Sequence, residues 1–415
     1  MATETAENTG KRILSLESLR GLAALTVVFD HFFRTFYPFT FVDTRPSHSS
    51  FEWFFIHTPL FVTINGAFAV MIFFVLSGFV LSYGFFKRPA KFDFVSAIVK
   101  RYFRLTPVVL ASVLLAFVLL KLHLFFNTQA GLMPTSWKND DIGLVSAIWQ
   151  GLAGVYITTP NDASLNSVLW TIYYEMIGSV LIFAVLAMVG RDHRRGYVYA
   201  FLTFILIGTN FIGFIAGLIL ADIFHNRNQV YKFIADLSIF YKGIALTVAL
   251  YLASFPPLRN AENLSLVHRP LLFLDNYTLN QTIVLLIAAV IIIVLVLTSK
   301  RLNKLLELKP LVFLGSISYS VYAVHLIVLG SAASLAFYLA QQQGLSYNYS
   351  AAIAVAVYLP VVLVVAVLMN KFVDKPAIAL SRMAGKSLFT RDGLRRKPKI
   401  VTPELVPEKA QQIQP

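Results

Sequence analysis

The sequence predicts an all-α, polytopic membrane protein of about ten transmembrane helices, with both termini on the cytoplasmic side. Three observations predict it. Of 415 residues, 57% are apolar and only 13% are charged, roughly half the charged share of a soluble domain. Apolar runs near span length recur at about 18–37, 64–86, 103–122, 168–189, 197–209, 210–224, 239–255, 282–299, 311–338 and 350–370. Alternating those runs across a bilayer places 27 Lys and Arg on one side and six on the other, the bias that marks cytoplasmic loops. The net charge of +14 therefore reads as orientation and contact with the lipid bilayer. A nucleic-acid partner is not expected.

Residues 1–12 form a short polar segment without the features of a signal peptide, so the first span is expected to stay as an uncleaved anchor. Residues 13–375 read as one transmembrane domain. Residues 376–415 read as a basic, disordered cytoplasmic tail, with Arg391, Arg395, Arg396, Lys397 and Lys399 near anionic headgroups. Cysteine is absent, which excludes disulfides and thiolate catalysis; no metal site is expected. Four Asn-x-Ser/Thr sequons (Asn263, Asn276, Asn280, Asn348) fall in outer segments, although Asn is common in polar loops in any case.

The first span carries Arg20 and His31 in LESLRGLAALTVVFDHFF. Ionisable groups at bilayer depth are costly and mark functional positions. Eleven residues at about 100° each return His31 to within roughly 20° of Arg20, about 16 Å further along the axis. Both should therefore face one groove. A histidine titrates near neutral pH and can take a proton from a hydroxyl; packing against a neighbouring span is the plainer role. Asp30 lies about 100° round the helix from His31 and is expected to pair with Arg34 at i+4.

The second span contains FFVLSGFVL, whose Ser77 and Gly78 permit close approach of a backbone or a slender ligand. At the entry to the third, VKRYFRLTP sets Arg101 and Arg104 at i, i+3, able to clamp phosphates or simply to supply inward positive charge. The stretch 142–158 is apolar but short. Counting it as a span would invert every later loop, so it reads as re-entrant or as an outer-face segment. The fourth span, LWTIYYEMIGSVLIF, has Glu175 as its one acid, which needs a histidine or arginine partner. The runs at 197–209 and 210–224 are short, and those at 239–255 and 282–299 carry no chemistry. The ninth, LGSISYSVYAVHLIVL, places Tyr319, Tyr322 and His325 in the membrane; Tyr322 and His325 form a possible i, i+3 relay. The tenth, 350–370, adds nothing specific.

Taken in order, these segments resemble the acyltransferase 3 family of multi-pass membrane acyltransferases. Arg20 and His31 fit its arginine, ten residues, histidine hallmark. FFVLSGFVL, KRYFRLTP, LWTIYYE and LGSISYSVYAVH resemble its later motifs, so the match spans about residues 14–325. Asp30 departs from it, since members often carry an apolar or aromatic residue before the histidine. The resemblance implies transfer of an acyl group, most often acetyl, from cytoplasmic acyl-CoA to a hydroxyl of a carbohydrate or glycolipid acceptor. It implies His31 as general base with Glu175 stabilising its imidazolium, and Arg20, Arg101 and Arg104 attracting the CoA phosphates. The pantetheine arm is expected to pass Ser77 and Gly78. A bacterial inner membrane is the expected location. The alternative is a transporter or glycan flippase without acyl-transfer chemistry.

Overall fold

A computed structural model describes residues 14–42, 44–132, 137, 141–158, 164–257 and 264–387. Helices dominate it, and no strand occurs among the described residues. Ten principal helices correspond to the ten apolar runs. They are α1 (Leu14–Phe36), α2 (Gly66–Lys87), α3 (Phe94–Lys121), α4 (Trp170–Val189) and α5 (Arg195–Leu206), then α6 (Phe211–Asn226), α7 (Ile239–Ala253), α8 (Tyr277–Thr298), α9 (Lys309–Gln342) and α10 (Tyr347–Met369). An eleventh, α11 (Lys375–Ser387), continues from α10 through the turn Asn370–Asp374.

Six of these helices are long and apolar enough to cross a membrane, and a bent pair, Gln229–Asp236 with Ile239–Ala253, makes up to seven. The chain is thus a multi-pass membrane protein, with fewer unambiguous spans than the sequence predicts. The shortfall has a physical cause. α1 is 23 residues long but carries Glu17, Arg20, Asp30 and Arg34. α5, at 12 residues, reaches about 18 Å against a hydrocarbon core of about 30 Å.

Local signals fix several helix starts. Asn65 accepts from the Phe68 amide and begins α2, Asp93 accepts from Ser96 and begins α3, and Asn276 accepts from Leu279 and begins α8. The Asp93 cap starts α3 nine residues before the apolar run. Arg101 and Arg104 therefore sit within a 28-residue helix rather than at its entrance. The segment expected to be re-entrant forms a 14-residue helix, Leu144–Ile157, too short to cross. It lies along α3, with Gly151 against Leu110 and the Thr106 and Tyr156 hydroxyls 2.8 Å apart. The tail expected from residue 376 begins instead as helix α11, whose face packs on α3; Arg391 to Lys399 lie outside the described residues.

Neighbouring backbones touch where glycine permits it. A Cβ on Gly21 of α1 would meet the backbone of Leu314 and Gly315 in α9, and one on Gly315 would meet Glu17. Ten residues further along each helix, His31 faces His325, so α1 and α9 run parallel. Gly78 and Gly217 lock α2 to α6 in the same way, also parallel. The pair Arg101–Glu175 and the pair Ser112–Asn166 make α3 and α4 antiparallel. These contacts fit strict alternation of helix direction along the chain.

Candidate active site

The bundle encloses a cavity of about 540 Å³ between α1, α2, α3, α4, α9 and α11. Arg20, Arg101 and Arg104 line it, together with Glu17, Glu175 and Asp374. Two of the arginines are already bound. Arg101 forms an ion pair with Glu175, and Arg104 with Asp374, which is 2% exposed. Glu175 also accepts from the Ser77 hydroxyl, with its two oxygens 2.8 and 3.0 Å away. The Asn370 amide ties Asp374 (3.1 Å) to the Ser316 carbonyl (3.1 Å). Burying these charges is tolerable because each acquires a partner and the two acids accept further hydrogen bonds. Arg20 differs in having no ion-pair partner among the described residues; its buried Nε, like that of Arg101, has no hydrogen-bond partner either. Its guanidinium therefore retains unused donor capacity towards the cavity.

The deep end of the cavity is closed by Phe73, Thr171 and Tyr322. Tyr322 donates to the Val168 carbonyl at 2.6 Å and accepts from the Thr171 hydroxyl at 2.7 Å. Its hydroxyl is thus turned towards α4 and not towards His325, so the expected Tyr322–His325 relay is not formed by those side chains.

One turn further along α9, His325 meets His31. The rings cross at 64° with centroids 4.9 Å apart, and His325 Nε2 lies 3.4 Å from His31 Nδ1. Carbonyl partners decide which nitrogens carry hydrogen, because a carbonyl can only accept. His325 Nδ1 lies 2.7 Å from the Tyr322 carbonyl and so is the protonated nitrogen; its Nε2 presents a lone pair to His31. His31 Nδ1 lies 3.0 Å from the Val27 carbonyl and is likewise protonated. The basic atom of His31 is therefore Nε2, on a side chain that is 26% exposed.

Asp30 lies closer to this histidine than helix phase alone predicts. Its Oδ2 accepts from Arg34 Nε at 2.7 Å, as expected, and lies 3.6 Å from His31 Nδ1. Its Oδ1 accepts from the Gly66 amide at 3.1 Å. At 2% exposure, Asp30 joins the end of α1 to the start of α2.

Several sequence-derived placements thus hold and others need correction. Arg20, Arg101, Arg104, Glu175 and Tyr322 share one cavity, and His31 shares the α9-facing side of α1 with Arg20. Glu175 has the arginine partner that its burial demands. It does not sit beside His31, where the neighbouring carboxylate is Asp30. Ser77 lies behind Glu175 rather than along the cavity wall, because its hydroxyl is spent on that carboxylate. Gly78 faces α6, where a Cβ would strike the Phe214 backbone; its role is helix packing. Asp374 was missed, although a lone acid at the end of the last apolar run, in NKFVDKP, is the same signal that singled out Glu175. No group of three His, Asp or Glu side chains among the described residues could hold a metal ion.

A family model described as an acyltransferase domain, acyltransferase 3, matches residues 13–371, nearly the whole chain, and the protein belongs to that family. Nothing among curated proteins or solved structures matches it.

Proposed function

For this member of the acyltransferase 3 family, we propose transfer of an acyl group, acetyl in the first instance, from acyl-CoA to a hydroxyl of a carbohydrate acceptor at a cell membrane. One observation carries the reading. A histidine with a defined basic nitrogen stands just beyond the closed end of a cavity whose walls are rich in arginine. A thiol-ester donor carries phosphates at one end and its reacting carbonyl at the other, which suits that arrangement. The cationic mouth faces the cytoplasm in this reading. The membrane is a bacterial inner membrane.

The donor's phosphates are drawn to the mouth, and Arg20 adds its unused N–H inside. The arm extends past Phe73 and Tyr322 towards His31, and side-chain movement at Tyr322 joins the two compartments. The acceptor hydroxyl arrives from the opposite side. His31 Nε2 takes its proton as the oxygen attacks the thioester carbonyl. The resulting imidazolium keeps Nδ1–H on Val27 and His325, with Asp30 nearby as counter-charge. The tetrahedral intermediate then collapses: the C–S bond breaks, the acyl oxygen ester remains, and His31 returns its proton to the departing thiolate.

The test is CoA release from acetyl-CoA by the protein in nanodiscs, with and without a glycan extract. Acceptor-dependent release that His31→Ala abolishes supports the proposal. Equal release by both proteins across several donors removes His31 from the chemistry and turns attention to transport.

A further inference from the structure

The family match ends at residue 371, yet part of the cavity wall comes from later residues. Lys375, Ile378, Ala379 and Arg382 all line it. Their spacing, i, i+3, i+4, i+7, is one face of a helix, and α11 supplies that helix. The face is held against the bundle by the Arg104–Asp374 ion pair one residue before α11 begins. It presents two cations with an apolar strip between them.

Those cations differ from the arginines inside. Arg101 and Arg104 are neutralised by Glu175 and Asp374. Lys375 and Arg382 are exposed and have no ion-pair partner among the described residues. They stand seven residues apart, about 10 Å along the axis. α10 runs inward to Asn370 beside Ser316, and α11 extends further in the same direction. Arg382 is therefore at the outermost rim of the mouth, furthest from Tyr322 and His31.

We propose that α11 is the element that recognises the nucleotide end of the donor. Lys375 contacts the diphosphate, Ile378 and Ala379 lie under the adenine, and Arg382 binds the terminal 3′-phosphate. The inference rests on the acyl-CoA reading above and deepens it. It assigns donor recognition to a segment outside the matched family domain, because two of the three cavity arginines within that domain, Arg101 and Arg104, are held by acids. Arg suits the terminal position, since its planar fork binds phosphate bidentately.

The experiment compares acetyl-CoA with its 3′-dephospho analogue as donors for wild type, Arg382→Gln and Arg382→Lys. The readout is the ratio of kcat/KM for the two donors within each protein, so partial loss of folded enzyme cancels. Wild type should prefer acetyl-CoA by about tenfold or more, the scale of one charge-assisted contact. Arg382→Gln should lose that preference through KM for acetyl-CoA alone, and Arg382→Lys should retain part of it. A ratio unchanged in Arg382→Gln overturns the role of α11 while leaving the acyl-CoA reading intact. A wild-type protein that turns over neither donor overturns both.

Discussion

In the arginine-lined cavity Arg101 is bound to Glu175 and Arg104 to Asp374, and Glu175 takes a further bond from Ser77. At His31, by contrast, one ring nitrogen is secured by Val27 and His325 while the other is left with a lone pair and a side chain 26% exposed. Both regions bury ionisable groups in a membrane domain. The first pairs each cation with an acid, which makes the groups a brace between α2, α3, α4 and α11. The second leaves one lone pair free, which suits it to accept a proton. Arg20 belongs with the second kind, since no acid pairs with it among the described residues, whereas Arg101 and Arg104 each have one. In the proposed mechanism the working groups are those with a free lone pair or no pairing acid, and the supporting ones are those held in ion pairs.

The comparison breaks most visibly at His31. His31→Ala should lower acyl transfer by about 10²- to 10⁴-fold, the range of a lost general base, while the thermal midpoint in detergent stays unchanged. A fall in midpoint parallel to the loss of activity would move His31 into the supporting class.

The bracing region should show the opposite pattern. Glu175→Gln leaves Arg101 buried without its counter-charge, costing about 3 kcal/mol of stability. Arg101→Gln in the same chain should restore part of that loss. Thermal unfolding of the two single variants and the double variant measures the coupling, and strictly additive losses would mean that the ion pair braces nothing.

A third variant acts on both regions through the backbone. Gly315→Ala places a methyl against the Glu17 and Ser18 backbone and should cost about 1–3 kcal/mol, as overpacking does. It should also lower activity more than its stability loss explains, because the same helix contact sets the His31–His325 distance. Activity measured well below the melting transition separates the two effects.

The smallest effect is expected at His325. His325→Ala should reduce kcat by about tenfold with KM for the donor unchanged. His325→Gln, whose carbonyl oxygen can accept from His31 Nδ1, should recover most of the loss. Equal defects in both variants would make His325 a packing residue.

Much of this was legible in the chain. Charged or polar residues interrupting apolar runs identified Arg20, His31, Glu175 and Tyr322, because burial of such groups is costly enough to need a reason. Helix phase placed Arg20 and His31 on one side of α1, and the i+4 rule paired Asp30 with Arg34. Gly78 misled because a small residue permits close approach without saying by what; the occupant proved to be α6. Glu175 misled in a related way, since its burial required a partner but could not choose between Arg101 and His31.

The sequence by itself determined the helical class, the membrane character and the family, since apolar periodicity, charge bias and motif order are properties of the chain read locally. Tertiary structure alone decided who meets whom. Arg104 finds Asp374 across 270 positions and His31 finds His325 across 294, the second contact set by glycine-mediated approach between the parallel helices α1 and α9. No local pattern encodes that register, because it depends on how the faces of separate helices fit against each other.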